Sequence, residues 1–140
     1  MNREILFRGK SIGIGVWLYG HLFNYGLTAP SNVPCISVCV PKSWKEAYNL
    51  YVVYPDTIGQ YTGLKDKNRK KIFEGDIIES NDYRHIVMYN EDLGGFCSSN
   101  VKYPEDLCGI NQQWINECSK LVIGNVIDNP EIVKGGSNEE

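Results

Sequence analysis

Thr57-Ile58-Gly59-Gln60-Tyr61-Thr62-Gly63-Leu64-Lys65-Asp66-Lys67-Asn68-Arg69-Lys70-Lys71-Ile72-Phe73-Glu74-Gly75-Asp76-Ile77-Ile78 sets the architecture of this chain. Ile58 to Leu64 has the composition of an extended segment kinked at two glycines, and Asp66-Lys67-Asn68-Arg69 that of a hairpin turn. Ile72-Phe73 then re-enters a core. Glu74-Gly75-Asp76 is a second turn, launching a strand at Ile77-Ile78-Glu79, because glycine takes positive φ freely and an Asp carboxylate accepts nearby backbone N–H groups.

Working outward, Leu50-Tyr51-Val52-Val53-Tyr54 is β-branched and aromatic and closes at Pro55-Asp56, as a strand ending in a turn does. On the other side, His85-Ile86-Val87-Met88-Tyr89 is a strand, Asn90 to Gly95 a polar turn, and Lys120 to Ile127 a strand with a glycine bulge. The segment 104–118 fits either one short helix or irregular structure. Gly9, Gly13, Gly15, Gly20 and Gly26 punctuate the first third into hairpins. Pro30, Pro34 and Pro41 allow at most an edge strand around Cys35 to Val40, since proline cannot donate to a ladder. Ser43 is placed to cap a helical turn through Trp44 to Tyr48. The fold class expected is mainly β with minor α, divided into an N-terminal β-rich part over 1–56, a small barrel region over 57–134 and a disordered tail over 135–140.

At 140 residues and 42% apolar content, the chain can bury about two thirds of the surface its unfolded form exposes. Fourteen basic residues against 17 acidic ones give no overall cationic field, so any contact with nucleic acid must be local. The five cysteines, Cys35, Cys39, Cys97, Cys108 and Cys118, form no C-x-x-C pair, and a reduced intracellular setting is expected. Residues 1–8 mix charge with apolar residues, unlike a secretory signal. No run approaches the ~20 apolar residues of a membrane helix, so no membrane partner is expected.

Taken with Ile123-Gly124-Asn125-Val126-Ile127-Asp128-Asn129-Pro130-Glu131, the central run resembles the YopX family of small phage and prophage proteins. Arg3-Glu4-Ile5 and Phe7-Arg8-Gly9-Lys10 are similar to the family's opening, and Trp17-Leu18-Tyr19-Gly20 to its following aromatic strand. Residues 28–48 and 97–119 fall outside the resemblance. Arg69 departs from it, standing where the family pattern has a turn glycine; either it takes left-handed dihedrals at about 1 kcal/mol, or Asn68 takes that role. The resemblance implies an SH3-like barrel in the C-terminal half, a phage accessory gene and a bacterial cytoplasm. It implies no catalytic residues.

Chemistry-bearing residues favour structural roles. Asp66, Glu74, Asp76 and Asp82 cluster in sequence, yet Asp66 and Asp76 sit where Asx side chains stabilise turns. His21 and His85, the two histidines, are not adjacent to any cysteine, and no phosphate-cradling glycine pattern is present. No catalytic residue, metal or cofactor is expected; Glu74, Asp76 and His85 are the only nominees for an enzyme. Trp17, Tyr19, Phe23 and Tyr25 alternate along the first hairpin and give it one aromatic face, which suits self-association or an unidentified phage or host protein. The basic run Lys65, Lys67, Arg69, Lys70 and Lys71 is the single nucleic-acid-like feature, and a solvated hairpin tip has the same composition.

Overall fold

The structure is a computed structural model that describes residues 3–25, 33–37, 50–81, 83–118 and 120–138. The expected helical turn at 44–48, Cys39 and Asp82 lie outside the described residues. The chain forms two units, Met1–Tyr61 and Thr62–Glu140. The division falls inside the strand Gly59–Lys65 rather than before Thr57, because Gly59 and Gln60 pair with Arg8 and Phe7 and Tyr61 N–H donates to Leu6 O at 2.8 Å.

In the first unit, β1 (Phe7–Lys10), β2 (Trp17–Tyr25), β3 (Val33–Ser37), β4 (Leu50–Val52) and the start of β5 (Gly59–Lys65) are ordered β4-β3-β2-β1-β5, with antiparallel pairing throughout. The hairpin register sets Arg8 opposite Tyr19 and Lys10 opposite Trp17. Cys35, Ile36 and Val53 are buried. Gly9 lies so close to Val53 that a Cβ there would stand 3.0 Å from its side chain.

The strand at 33–37 is internal, between β2 and β4, and not at an edge as its prolines suggested. Pro34 is the second residue of β3, and its carbonyl accepts Val53 N–H at 3.2 Å. Only the donor side of the ladder is lost, and near a strand end this is tolerated.

In the second unit the C-terminal part of β5 lies beside β6 (Lys71–Phe73). A sheet then follows in the order β10-β9-β8-β7-β11, from β7 (Asp76–Ser80), β8 (Tyr83–Asn90), β9 (Gly95–Asn100), β10 (Leu107–Gly109) and β11 (Leu121–Asn125). Helix α1 (Gln112–Glu117) begins at Asn111, whose side chain accepts Trp114 N–H at 2.8 Å. Ile72, Ile78, Val87 and Ile115 form the core, with Leu64, Ile110, Trp114 and Val122 packed against it. Each fully buried isoleucine contributes about 2 kcal/mol through removal of apolar area from water.

Segment 104–118, ambiguous in sequence, supplies a short edge strand and a helix. The sheet keeps two edges, β10 and β11, and among the described residues no pairing closes it into the barrel that was expected. Helix α2 (Pro130–Asn138) continues through Gly135-Gly136, where composition alone suggested a disordered tail. Among the described residues no helix is long and apolar enough to cross a membrane.

Candidate functional site

The basic hairpin is built around one carboxylate. Arg69 N–H donates to Asp66 O at 2.9 Å and Asp66 N–H to Lys70 O at 2.8 Å, closing a three-residue loop in which Arg69 has φ 67. This is a type I turn followed by a left-handed residue, a hairpin in which glycine is usual at the last position. Arg69 therefore takes the left-handed role, and the alternative placement on Asn68 is corrected. Asp66 Oδ1 accepts Asn68 N–H at 2.8 Å and Lys70 N–H at 2.9 Å, and its Oδ2 accepts Val122 N–H at 3.0 Å.

Asp66 is buried, while Lys67, Arg69 and Lys70 are exposed and Lys65 and Lys71 half-buried. The one acid in the basic run thus points inward and the tip's outer surface is cationic. Gln112 anchors the base of the loop, its Oε1 accepting Lys65 N–H at 3.0 Å and its Nε2 donating to Lys65 O at 2.7 Å. The side-chain amide stands in for a neighbouring strand.

Asp76 has the turn role its position suggested. It is buried, and its Oδ2 accepts Phe73 N–H at 2.8 Å across the turn where Gly75 has φ 89. Gly75 N–H donates to Val87 O at 2.8 Å and Gly75 O accepts Val126 N–H at 2.9 Å, so this turn also joins β8 to the end of β11. Gly63, with φ 88, marks a kink in β5 where Thr62 Oγ1 accepts Leu64 N–H at 3.1 Å and donates to Ile72 O at 2.8 Å.

The aromatic face lies in the first unit. Trp17 is half-buried beneath two cations, with Arg8 Cζ 4.8 Å and Lys10 Nζ 5.7 Å from its ring centroid. Tyr19 and Phe23 are exposed. Tyr25 pairs with Val33, and its side chain lies outside the described residues. Phe23, Cys35 and Val52 are in register across β2, β3 and β4, and buried Cys35 is flanked by the exposed Phe23 and Val52. Beside the β1–β2 turn, Ile12, Ile14 and Val16 are exposed, Ile12 N–H donates to Val52 O at 3.1 Å, and Tyr54 hydroxyl donates to Ile12 O at 3.4 Å.

The nominated enzyme residues have distinct surroundings. His85, opposite Ile78 on β7, has Nδ1 3.5 Å from Ser98 Oγ and packs edge to face on Trp114, centroids 5.7 Å apart. Burial, aided by the Lys120 charge, lowers its pKa to about 4, so it is neutral at pH 7. Glu74 is half-buried in the turn before β7. Among the described residues, no group of three or more His, Cys, Asp or Glu is placed to hold a metal. Sequence reading missed Lys120, which is 3% exposed with its Nζ 4.7 Å over the Trp114 ring. Its period-2 relation to Val122 was the available signal, since Val122 packs on the core.

The YopX protein family matches residues 16–134, a span that includes the central run and the Ile123–Glu131 motif but not Arg3 to Lys10. No curated protein matches the chain. Among solved structures, the crystal structure of protein EF1440 from Enterococcus faecalis is similar with a TM-score of 0.59 and 25% identity, over 93% of this chain and 98% of that one. The match runs through both units and through the turns at Asp66 and Asp76, and on that ground the chain belongs to the YopX family.

Proposed function

We propose that this protein is a phage or prophage accessory protein of the bacterial cytoplasm that acts by binding protein, either a second copy of itself or a phage or host partner, and not by catalysis. The observation that carries this reading is the exposed apolar surface of the first unit: Tyr19, Phe23 and Val52, together with Ile12, Ile14 and Val16 at the β1–β2 turn. Grouped apolar exposure of this kind is characteristic of interaction surfaces. The same reading takes the five-stranded sheet of the second unit as an opened SH3-like fold.

The test is recovery of the tagged protein from a bacterial host during phage induction, with and without nuclease. A stoichiometric protein, or the chain's own untagged copy, that survives nuclease and is lost with the Tyr19→Ser, Phe23→Ser double variant supports the reading. A monomer that brings down nothing but nucleic acid overturns it.

The second reading is nucleic-acid binding by the hairpin Lys65 to Lys71, favoured by the inward turn of Asp66 and the exposed Lys67, Arg69 and Lys70. It predicts oligonucleotide binding that weakens steeply with salt and disappears in the Lys70→Glu, Lys71→Glu double variant.

A further inference from the structure

Sheet edges in this chain differ in how their outward backbone groups are used. On β11, Val122 N–H is taken by Asp66 Oδ2 at 3.0 Å and Lys120 O by Lys67 N–H at 3.0 Å. On β4, Val52 O accepts Ile12 N–H at 3.1 Å. Each of these edges is blunted by a neighbouring loop of the chain itself, which guards against pairing with other strands.

The edge at β10 is open. Leu107, Cys108 and Gly109 pair with Ser99, Ser98 and Cys97 of β9. Asn100 N–H donates to Asp106 O at 3.2 Å, which makes 106 and 100 a hydrogen-bonded pair. Such pairs alternate along an antiparallel ladder, so Cys108 turns its N–H and C=O toward β9, while Leu107 and Gly109 turn theirs outward. Among the described residues no loop or side-chain group caps those outward groups, and all three residues of β10 are exposed. Leu107-Cys108-Gly109-Ile110 carries no charge and no proline, and a Cβ on Gly109 would meet nothing within 4 Å.

We propose that β10 pairs with β10 of a second copy of this chain, antiparallel about a two-fold axis at Cys108, and joins two five-stranded sheets into one. The outward groups fix this register. Leu107 of each copy stands opposite Gly109 of the other in a narrow pair that exchanges both N–H···O bonds, and Cys108 faces Cys108 between the two pairs. The same register sets Asp106 opposite Ile110 and Glu105 opposite Asn111, so the acidic end of each strand meets an uncharged end of its copy. A second copy therefore matches both the donor and acceptor order of the edge and its charge. The edge is short and the contact small beside a standard interface, so the dimer is reversible and depends on concentration. It uses none of the apolar residues of the first unit.

The experiment is sedimentation equilibrium of the full chain from micromolar to millimolar concentration, with diamide oxidation and non-reducing peptide mapping of the same samples. A monomer–dimer equilibrium and a Cys108–Cys108 disulfide are expected, since the non-hydrogen-bonded position brings paired Cα atoms to about 4.5 Å, within the span of a disulfide. Cys108→Ser keeps the dimer and loses the cross-link. Cys108→Asp places two carboxylates directly opposite and is expected to weaken dimerisation by about tenfold or more. The Tyr19→Ser, Phe23→Ser double variant leaves this dimer unchanged, which separates it from binding through the first unit. A chain that stays monomeric and gives no Cys108 cross-link, its edge then being open to an extended segment of another protein, overturns the proposal. So does a dimer that is equally stable in Cys108→Asp, or one that is lost in the double variant.

Discussion

Asp66 Oδ2 accepts the backbone N–H of Val122 at 3.0 Å, across 56 residues of chain. The carboxylate that shapes the basic hairpin also holds β11, whose Val122 packs on the core. The loop and the strand are thereby one cooperative structure, and Lys67 N–H to Lys120 O at 3.0 Å strengthens the same junction. A buried acceptor serving three donors is costly to lose, because each donor left unsatisfied carries its own desolvation penalty.

Asp66→Ala is expected to lower stability by about 3 kcal/mol or more, and Asp66→Asn by less, since one oxygen is kept. Urea unfolding followed by Trp fluorescence measures this. A loss below about 1 kcal/mol for the alanine variant would remove the structural role assigned to Asp66.

Arg69 holds φ 67, a conformation that costs a side chain more than it costs glycine. Arg69→Gly should therefore raise stability by up to about 1 kcal/mol, less what glycine's freer unfolded chain takes back. The same substitution removes one exposed cation, so oligonucleotide binding, if present, weakens while the melting temperature rises. Opposite movement of the two readouts separates the turn's geometry from its charge.

Gly124 sits at the register shift of β11, and a Cβ there would stand 2.4 Å from Asn129 Oδ1 and 2.9 Å from its Cγ. Asn129 Oδ1 accepts Asn125 N–H at 3.2 Å, and Asn125 Oδ1 accepts Ile127 and Asp128 N–H at 3.0 and 2.8 Å, so the side chain that must shift belongs to a closed turn. Gly124→Ala is expected to cost about 2 kcal/mol by overpacking. Circular dichroism melting of the variant against wild type checks it, and an unchanged melting point would contradict the close approach.

His85 is held neutral by burial first and by the Lys120 charge second, with its pKa lowered to about 4 from the usual 6.5. The unfolded chain then binds the proton more readily, so stability is full above about pH 6.5 and is lost as pH falls toward 4. The upper bound on that loss is about 3 kcal/mol. Denaturant midpoints taken from pH 7 to pH 4 report it, and His85→Gln should flatten this segment of the profile. A wild-type midpoint independent of pH over that window is the contrary result.

Local chemistry was legible in the sequence alone. The turns at Asp66 and Gly75-Asp76, the strands from Leu50, Ile77 and His85, and the glycine bulge in β11 all rest on interactions between near neighbours: Asx oxygens reaching N–H groups two to four residues away, and glycine at positive φ. The family resemblance lay in the same local punctuation. Tertiary structure decided what depends on distant partners. Pro34 became internal because β4 returns to pair with Cys35. Residues 59–61 joined the first unit through Phe7 and Arg8. Lys120 became buried because Trp114 and Lys67 N–H meet it from other segments. Short-range hydrogen bonding is written in adjacent residue types, whereas strand order and burial are fixed only when segments far apart in sequence compete for the same surface.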